Sequence, residues 1–312
     1  MAERPILIGT RGSPLALWQA NHVRALLIDA HGLGESDVAL SAITTSGDRI
    51  RDKPLRDFGG KGLFTKEIDE ALLVGAVALA VHSMKDLPTE LPPGIAIAAV
   101  LPRGDVRDAF ISAKGESLAA LAPGAVVGTS SLRRQAQVKR LRPDLRAIDL
   151  RGNVETRLAK LERGMADATL LALAGLTRLG LTTHVTSVLS MEEMLPAVAQ
   201  GAIGIACRSD DAKMRDLLQA LNDEVSATAV ACERAFLAQL DGSCRTPIAG
   251  LAEIAGGALR FRGLVLNPEG TEWREIELRG APEDAASIGA QSGRELLALA
   301  GPNFLTSLTP RS

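Results

Sequence analysis

Two sets of residues in this chain could do chemistry. The first is the stretch Gly242-Ser-Cys-Arg-Thr-Pro247, which places Cys244 in a polar turn beside Arg245. An adjacent cation favours the thiolate, the nucleophilic form of cysteine. The other two cysteines read as core thiols. Cys232 shares an apolar helical stripe with Val225, Ala229, Phe236 and Leu240, and Cys207 ends the buried run Ala202–Cys207. None of the three stands in a C-x-x-C unit, so neither a disulfide framework nor a structural zinc site is expected. Composition leaves Cys244 open between a reactive thiol and an ordinary loop residue.

The second set is basic. Between Arg133 and Arg157 stand eight basic residues and three acidic ones, in a chain whose 35 basic and 37 acidic side chains leave a formal charge of −2. Arg133 and Arg134 fall in the first turn of an expected helix, where the helix dipole disfavours a cation by up to ~1 kcal/mol. A bound anion would offset that cost. Arg151 and Arg157 follow the next strand in the same way, and Arg11 with Ser13 makes a matching pair near the N-terminus. Lys139, Arg140 and Arg142 read as a solvated helix face. For Arg133, Arg134 and Arg151 an anion site and plain surface charge both remain open. So does the role of Asp86 beside Lys85, a surface ion pair or a catalytic carboxylate.

The elements that must position these groups follow a repeating pattern. Pro5–Gly9 reads as a strand, Ser13 as an N-cap and Pro14 as the first residue of a helix to about Ala30. Val38–Thr44 is a strand, Phe64–Val74 an amphipathic helix, and Ala76–Val81 and Ile95–Leu101 are strands. The intervening Thr45–Gly62 carries eight charged residues and four glycines and is expected to be a mobile lid. The pattern then recurs. Ala125–Gly128 is a strand, Thr129-Ser130-Ser131 offers capping hydroxyls, and Leu132–Leu141 is a helix; Ala147–Leu150, Val154–Arg163 and Ala168–Leu173 follow as strand, helix and strand. Such alternation implies a mostly parallel sheet with helices on both faces and ligands at the carboxyl ends of its strands. From Asn222 onward a helix, the hairpin Leu259–Leu266 with Glu272–Leu278, and a last helix Pro282–Leu299 form a smaller α+β domain.

Several chemistries are excluded by pattern. Gly59-Gly60-Lys61-Gly62 fails as a P-loop because Leu55 and Gly62 occupy positions that need Gly and Ser or Thr. The four histidines (His22, His31, His82, His184) lack metal spacing. His82, Ser83 and Asp86 have no nucleophile elbow around them. With two Trp, six Phe and no Tyr, an aromatic platform for nucleic acid is not expected. No apolar run approaches the ~18 residues of a membrane span, and Pro5–Gly9 starts too early for a signal peptide. An intracellular, cytoplasmic protein with no nucleic-acid or membrane partner is expected.

Seven segments together resemble the porphobilinogen deaminase (hydroxymethylbilane synthase) family. They are IGTRGSPLAL (8–17), GGKGLFTKEID (59–69), VHSMKDLP (81–88), GTSSLRRQAQ (128–137), LRGNVETRL (150–158), PAVAQGAIGI (196–205) and GSCRTPIAG (242–250). The resemblance implies an α/β fold of two periplasmic-binding-protein-like lobes with mixed, mostly parallel sheets, plus a smaller α+β C-terminal domain. Lobe 1 would comprise 1–101 plus 200–220, lobe 2 102–199, and the third domain 221–312. It also implies a monomer carrying a dipyrromethane cofactor through a thioether at Cys244. On that primer four porphobilinogen molecules are joined, with loss of ammonia, into hydroxymethylbilane for tetrapyrrole and haem biosynthesis.

By the same resemblance Asp86 is the catalytic carboxylate. Arg11, Ser13, Lys61, Ser83, Lys85, Thr129, Ser131, Arg133, Arg134, Arg151, Arg157, Arg178 and Gln200 match positions that hold cofactor or substrate carboxylates. Ser243, Ala199 and Ala206 depart from the family's usual residues. A non-catalytic two-lobed binding protein for a small anion is the rival reading; it leaves Cys244 and the Lys85-Asp86 pair without a role.

Overall fold

The computed structural model describes residues 5–49, 62–240 and 246–307. Lys61, Cys244 and most of the Thr45–Gly62 segment lie outside them. The chain divides into two compact units, one of residues 1–104 and 201–227, the other of residues 105–200 and 228–312.

In the first unit β1 (Ile6–Arg11) leads through Ser13 into α1 (Pro14–His31), followed by β2 (Val38–Ile43), the short α2 (Ser46–Arg49), α3 (Lys66–Leu73), β3 (Leu79–Ser83) and β4 (Ile95–Val100). The second unit holds β5 (Asp108–Ser112), β6 (Val126–Gly128), α4 (Leu132–Leu141), β7 (Arg146–Ile148), α5 (Val154–Glu162), β8 (Ala168–Ala172), α6 (Leu173–Arg178) and β9 (Ser187–Val188). The chain then returns to the first unit with β10 (Ile203–Arg208) and α7 (Ala212–Gln219). Helix α8 (Glu224–Gln239) precedes a three-stranded antiparallel sheet of β11 (Ile248–Ala255), β12 (Ala258–Leu266) and β13 (Trp273–Gly280), and α9 (Ala285–Ser307) closes the fold.

Both five-stranded sheets share one plan, β2-β1-β3-β10-β4 and β7-β6-β8-β5-β9. Four strands of each run one way, and the fifth (β10 or β5) is antiparallel to both neighbours. The sheets are therefore mixed, as expected. Each reversed strand is the first after the chain changes unit, so it closes no βαβ crossover and escapes the rule that makes such crossovers parallel. The expected loop after Thr44 is partly helical, since Ser46–Arg49 forms one turn.

Helix α1 behaves as its sequence demands. The Ser13 hydroxyl accepts from the Ala16 N–H at 3.3 Å, and Gly32, with φ 62°, ends the helix. Its apolar face (Ala20, Val23, Leu27) packs with Ile8, Leu79 and Val81 on one side of the first sheet, while Ile68 and Leu72 of α3 cover Val77 and Ala80 on the other. In the second unit Phe110, Val127, Val138 and Leu170 form one core, and Ala136 of α4 joins Ala249, Leu251, Leu264 and Leu266 of the C-terminal sheet in another. Helices α8 and α9 touch backbone to backbone: a Cβ on Gly289 would stand 1.9 Å from the Cys232 carbonyl oxygen, so only glycine fits there. No described helix is long and apolar enough to cross a membrane.

Candidate functional site

In the first unit, β1 and β3 are adjacent and parallel, so their carboxyl ends share one edge of the sheet. Arg11 ends β1 there. Its Nε donates to Asp48 Oδ2 at 3.3 Å, its Nη2 pairs with Asp48 Oδ1, and its guanidinium lies 4.2 Å from the centre of the Phe64 ring. Burial opposes ionisation of Asp48, but hydrogen bonds from Arg11 and Thr45, with the Arg11 charge, outweigh it and hold the carboxyl below its ordinary range. Ser83 ends β3, and its Oγ accepts from Gln19 Nε2 at 3.0 Å. A single 3-10 turn, Met84–Asp86, follows. It leaves Lys85 half-buried and Asp86 exposed. No side-chain hydrogen bond or ion pair joins Asp86 to any described residue. The surface-pair reading of Asp86 therefore has no partner in the described structure, whereas Arg11, Ser83, Lys85 and Asp86 do share one strand edge.

Two buried titratable groups lie behind this edge. Burial, helped by the Arg11 charge, pushes His82 down to about 4, and its Nε2 has no partner among the described residues. Burial pushes Asp69 up to about 6, against a hydrogen bond from Thr65. The two act oppositely on stability. Between pH 6.5 and 4 the unfolded chain protonates His82 while the folded one does not, so stability falls as pH falls. Between pH 6 and 3.8 the folded chain protonates Asp69 first, so stability rises as pH falls. Each contributes roughly 1–2 kcal/mol between pH 7 and 5, and the parent is expected to be nearly flat there. His82→Gln should leave only the Asp69 effect, with a thermal midpoint higher at pH 5 than at pH 7. An unchanged pH profile would count against this pairing.

In the second unit β6 ends at Gly128, and the three hydroxyls after it differ in use. Thr129 Oγ1 accepts from the Ser131 N–H at 3.3 Å, and Ser131 caps α4 by accepting from the Arg134 N–H at 3.4 Å. Ser130 Oγ is buried without a partner among the described residues. Arg133 and Arg134 point inward. Arg133 Nη1 donates to Asp108 Oδ2 at 2.7 Å, and Arg134 Nη2 to Asp108 Oδ1 at 2.7 Å. Gln200 Nε2 reaches the same Oδ1 at 3.0 Å. The anion that offsets the dipole cost at the head of α4 is thus internal, a correction to the sequence expectation that a ligand alone would supply it. Burial works against ionisation of Asp108, yet the two guanidiniums hold it far below the ordinary carboxylate range.

Arg151 stands after β7, ahead of Gly152 and the α5 cap Asn153, whose side chain accepts from the Thr156 N–H at 2.9 Å. Gly152 is required: its φ is 123°, and a Cβ would lie 2.6 Å from Thr156. Arg157 Nε donates to the Gly152 carbonyl at 2.8 Å. Arg178 ends α6, just beyond β8, and burial lowers it to about 10. Lys139, Arg140 and Arg142 are not simply solvated. Lys139 and Arg140 bind Pro268 and Glu275 of the C-terminal hairpin, and Arg142 closes on Asp144 and the carbonyls of residues 118, 119 and 121. A long side chain on a helix seeks the nearest carbonyls once a neighbouring sheet covers that helix. Cys207 and Cys232 are fully buried, and burial raises both thiols, Cys232 to about 12.

Sequence reasoning missed Asp108 and Glu233. Asp108 heads the apolar run Ala109–Ile111 and Glu233 follows Val230-Ala-Cys232, each with an arginine beside it, so the sequence signal is weak. Glu233 is fully buried and accepts from the backbone N–H groups of Ala199 (2.5 Å) and Ala252 (2.9 Å). Ala199 is the one non-glycine among the described residues with positive φ, 59°. Ala199, one of the departures from the family's usual residues, thus stands where glycine is favoured.

Comparison with known proteins bears directly on these groups. Residues 6–216 match the family domain described as porphobilinogen deaminase, dipyromethane cofactor binding domain, and residues 227–298 match porphobilinogen deaminase, C-terminal domain. The chain is 56% identical over 299 residues to the porphobilinogen deaminase of Nitrobacter hamburgensis, covering 96% of this chain and 95% of the relative. It is 53% identical over 302 residues to that of Paracoccus denitrificans (97% and 96% covered), and 56% identical over 308 residues to the chloroplastic enzyme of Pisum sativum (97% and 84%). Among solved structures it is similar to the methionine-binding protein MetQ, with a TM-score of 0.43, 13% identity, and coverage of 70% of this chain and 90% of that one. With two family domains matched across most of its length and relatives more than half identical, the chain belongs to the porphobilinogen deaminase family.

Proposed function

We propose that this chain performs the family reaction, joining four porphobilinogen molecules head to tail into hydroxymethylbilane on a dipyrromethane primer attached to Cys244. The observation that carries the reading is the pair of buried polar atoms Ser130 Oγ and Arg133 Nε, three residues apart at the head of α4 and both without a partner among the described residues. An orphaned buried donor costs ~1–3 kcal/mol, and a carboxylate relieves both. Primer and substrate rings are rich in carboxylates, so the residues present fit the group.

When bound, the primer would supply the free pyrrole carbon at which the first unit is attached, each later unit being attached to the ring added before it. Arg133 and Arg134 on one sheet edge and Arg11, Ser13, Ser83 and Lys85 on the other bind ring carboxylates. Lys61, Thr129, Ser131, Arg151, Arg157 and Arg178 complete the set, while Gln200, fully buried with its amide on Asp108 and the Val106 carbonyl, acts from behind them. Asp86 faces the substrate. Its carboxylate stabilises the positive charge that develops as ammonia leaves the aminomethyl carbon, and it holds the proton lost when the new carbon–carbon bond is made. The protein works as a cytoplasmic monomer, with residues 221–312 presenting Cys244. Incubated with porphobilinogen, it is expected to release one ammonia for each molecule consumed and to accumulate a linear tetrapyrrole; binding without ammonia release overturns the reading.

A further inference from the structure

Asp108 has the geometry of an organiser. It begins β5, the reversed strand, and pairs in register with Ala172 at the carboxyl end of β8. That reversal brings a strand's first residue to the edge where the parallel strands end, beneath the first turn of α4. The side chain is fully buried, and both oxygens are engaged. Oδ2 takes Arg133 Nη1; Oδ1 takes Arg134 Nε (3.2 Å) and Nη2, with Gln200 Nε2. Backbone carbonyls fix the far ends: Arg133 Nη1 also reaches Leu195 O at 2.8 Å, Arg134 Nη1 reaches Leu170 O at 3.0 Å, and Gln200 reaches Val106 O at 2.8 Å. Gln137 grips Leu195 from both sides, giving to its carbonyl at 3.0 Å and accepting its N–H at 2.9 Å.

Two cations share one anion here, so the cluster keeps one positive charge in a place closed to water. A buried charge of that kind is stable only when paired. Among the described residues Arg133 Nε is buried without a partner, so the cluster's donors are not all satisfied from within. The Arg11–Asp48 pair contrasts with it. There both side chains are about a quarter exposed (24% and 26%), against 4% for Arg133 and 0% for Asp108. A ligand carboxylate can exchange with Asp48, but it cannot displace Asp108.

We propose that Asp108 is a positioning residue for carboxylate recognition: by holding Arg133 and Arg134 from behind, it fixes the two guanidiniums at the head of α4 and leaves the cluster one net positive charge for a ligand carboxylate. This inference rests on the reading that these arginines bind carboxylates. The test uses the primer-loaded enzyme, with KM and kcat for porphobilinogen measured separately. Asp108→Asn keeps shape without charge. It should raise KM at least tenfold while kcat per loaded chain stays within threefold, and Asp108→Glu should return KM to within threefold of the parent. A purely structural role would lower the thermal midpoint and the yield of active chains but leave the KM of the survivors unchanged; KM within twofold of the parent in Asp108→Asn overturns the inference. Arg133→Gln separates the two readings. If it leaves KM unchanged, the carboxylate-binding reading itself is wrong; if it raises KM while Asp108→Asn does not, only the positioning role is. Should Asp108→Asn fail to fold, Gln200→Ala removes one of the three side chains holding the carboxylate. It should raise KM about threefold, and no change overturns the proposal.

Discussion

Asp86→Asn is expected to lower kcat by about 10²–10³-fold, the range typical of losing one electrostatic or proton-transfer group, with KM within threefold of the parent. The amide has the same size and can still hydrogen-bond to a pyrrole N–H. It carries no charge to oppose the cation that forms as ammonia leaves, and it cannot hold the displaced proton. Because Asp86 is exposed and has no partner among the described residues, no described contact depends on its charge. Stability should therefore shift by no more than about 0.5 kcal/mol. That separates this change from substitutions at Asp48 or Asp108, whose carboxylates are held by arginines. Steady-state kinetics with a thermal melt decides the matter: a variant with kcat within twofold of the parent would remove Asp86 from the reaction.

What was legible in the sequence was local. Ser13-Pro14 start α1 as read because capping geometry is written in neighbouring residues, and the helix ends at His31, one residue beyond the expected Ala30. Leu132–Leu141 matches its helix end for end. The reversed strands were not legible as such. The apolar run Ala202–Cys207 shows burial but not direction, and β5 is one short strand headed by a charge. Their pairing is set by partners 56 or more positions away, β8 for β5 and β3 for β10. The same limit applied at the site. The sequence marks Arg133 and Arg134 as cations in an awkward place, yet the carboxylate that accepts them is 25 and 26 residues back. Gln200, 92 residues from Asp108, stood out only through its motif. Lys61 and Cys244 also rest on motif alone, since neither is among the described residues.

Cys244→Ala should abolish turnover, to below about 1% of the parent, because a primer that dissociates cannot hold a growing chain through successive additions; a covalent tether keeps it at high effective concentration. The structure narrows the choice of anchor by elimination as well as by motif. Cys207 and Cys232 are fully buried, and burial raises both thiols, so neither supplies a thiolate near neutral pH. Cys244 is the remaining cysteine of three, with Arg245 beside it in sequence to favour the thiolate. Intact mass spectrometry reads the tether directly. The parent should exceed its sequence mass by two linked pyrrole units, Cys244→Ala should match its sequence mass, and Cys232→Ala should keep both the added mass and the activity. A parent without the added mass that still turns over would show that no covalent primer is needed. Added mass persisting in Cys244→Ala would move the anchor elsewhere, and burial at Cys207 and Cys232 would then have to open to admit it.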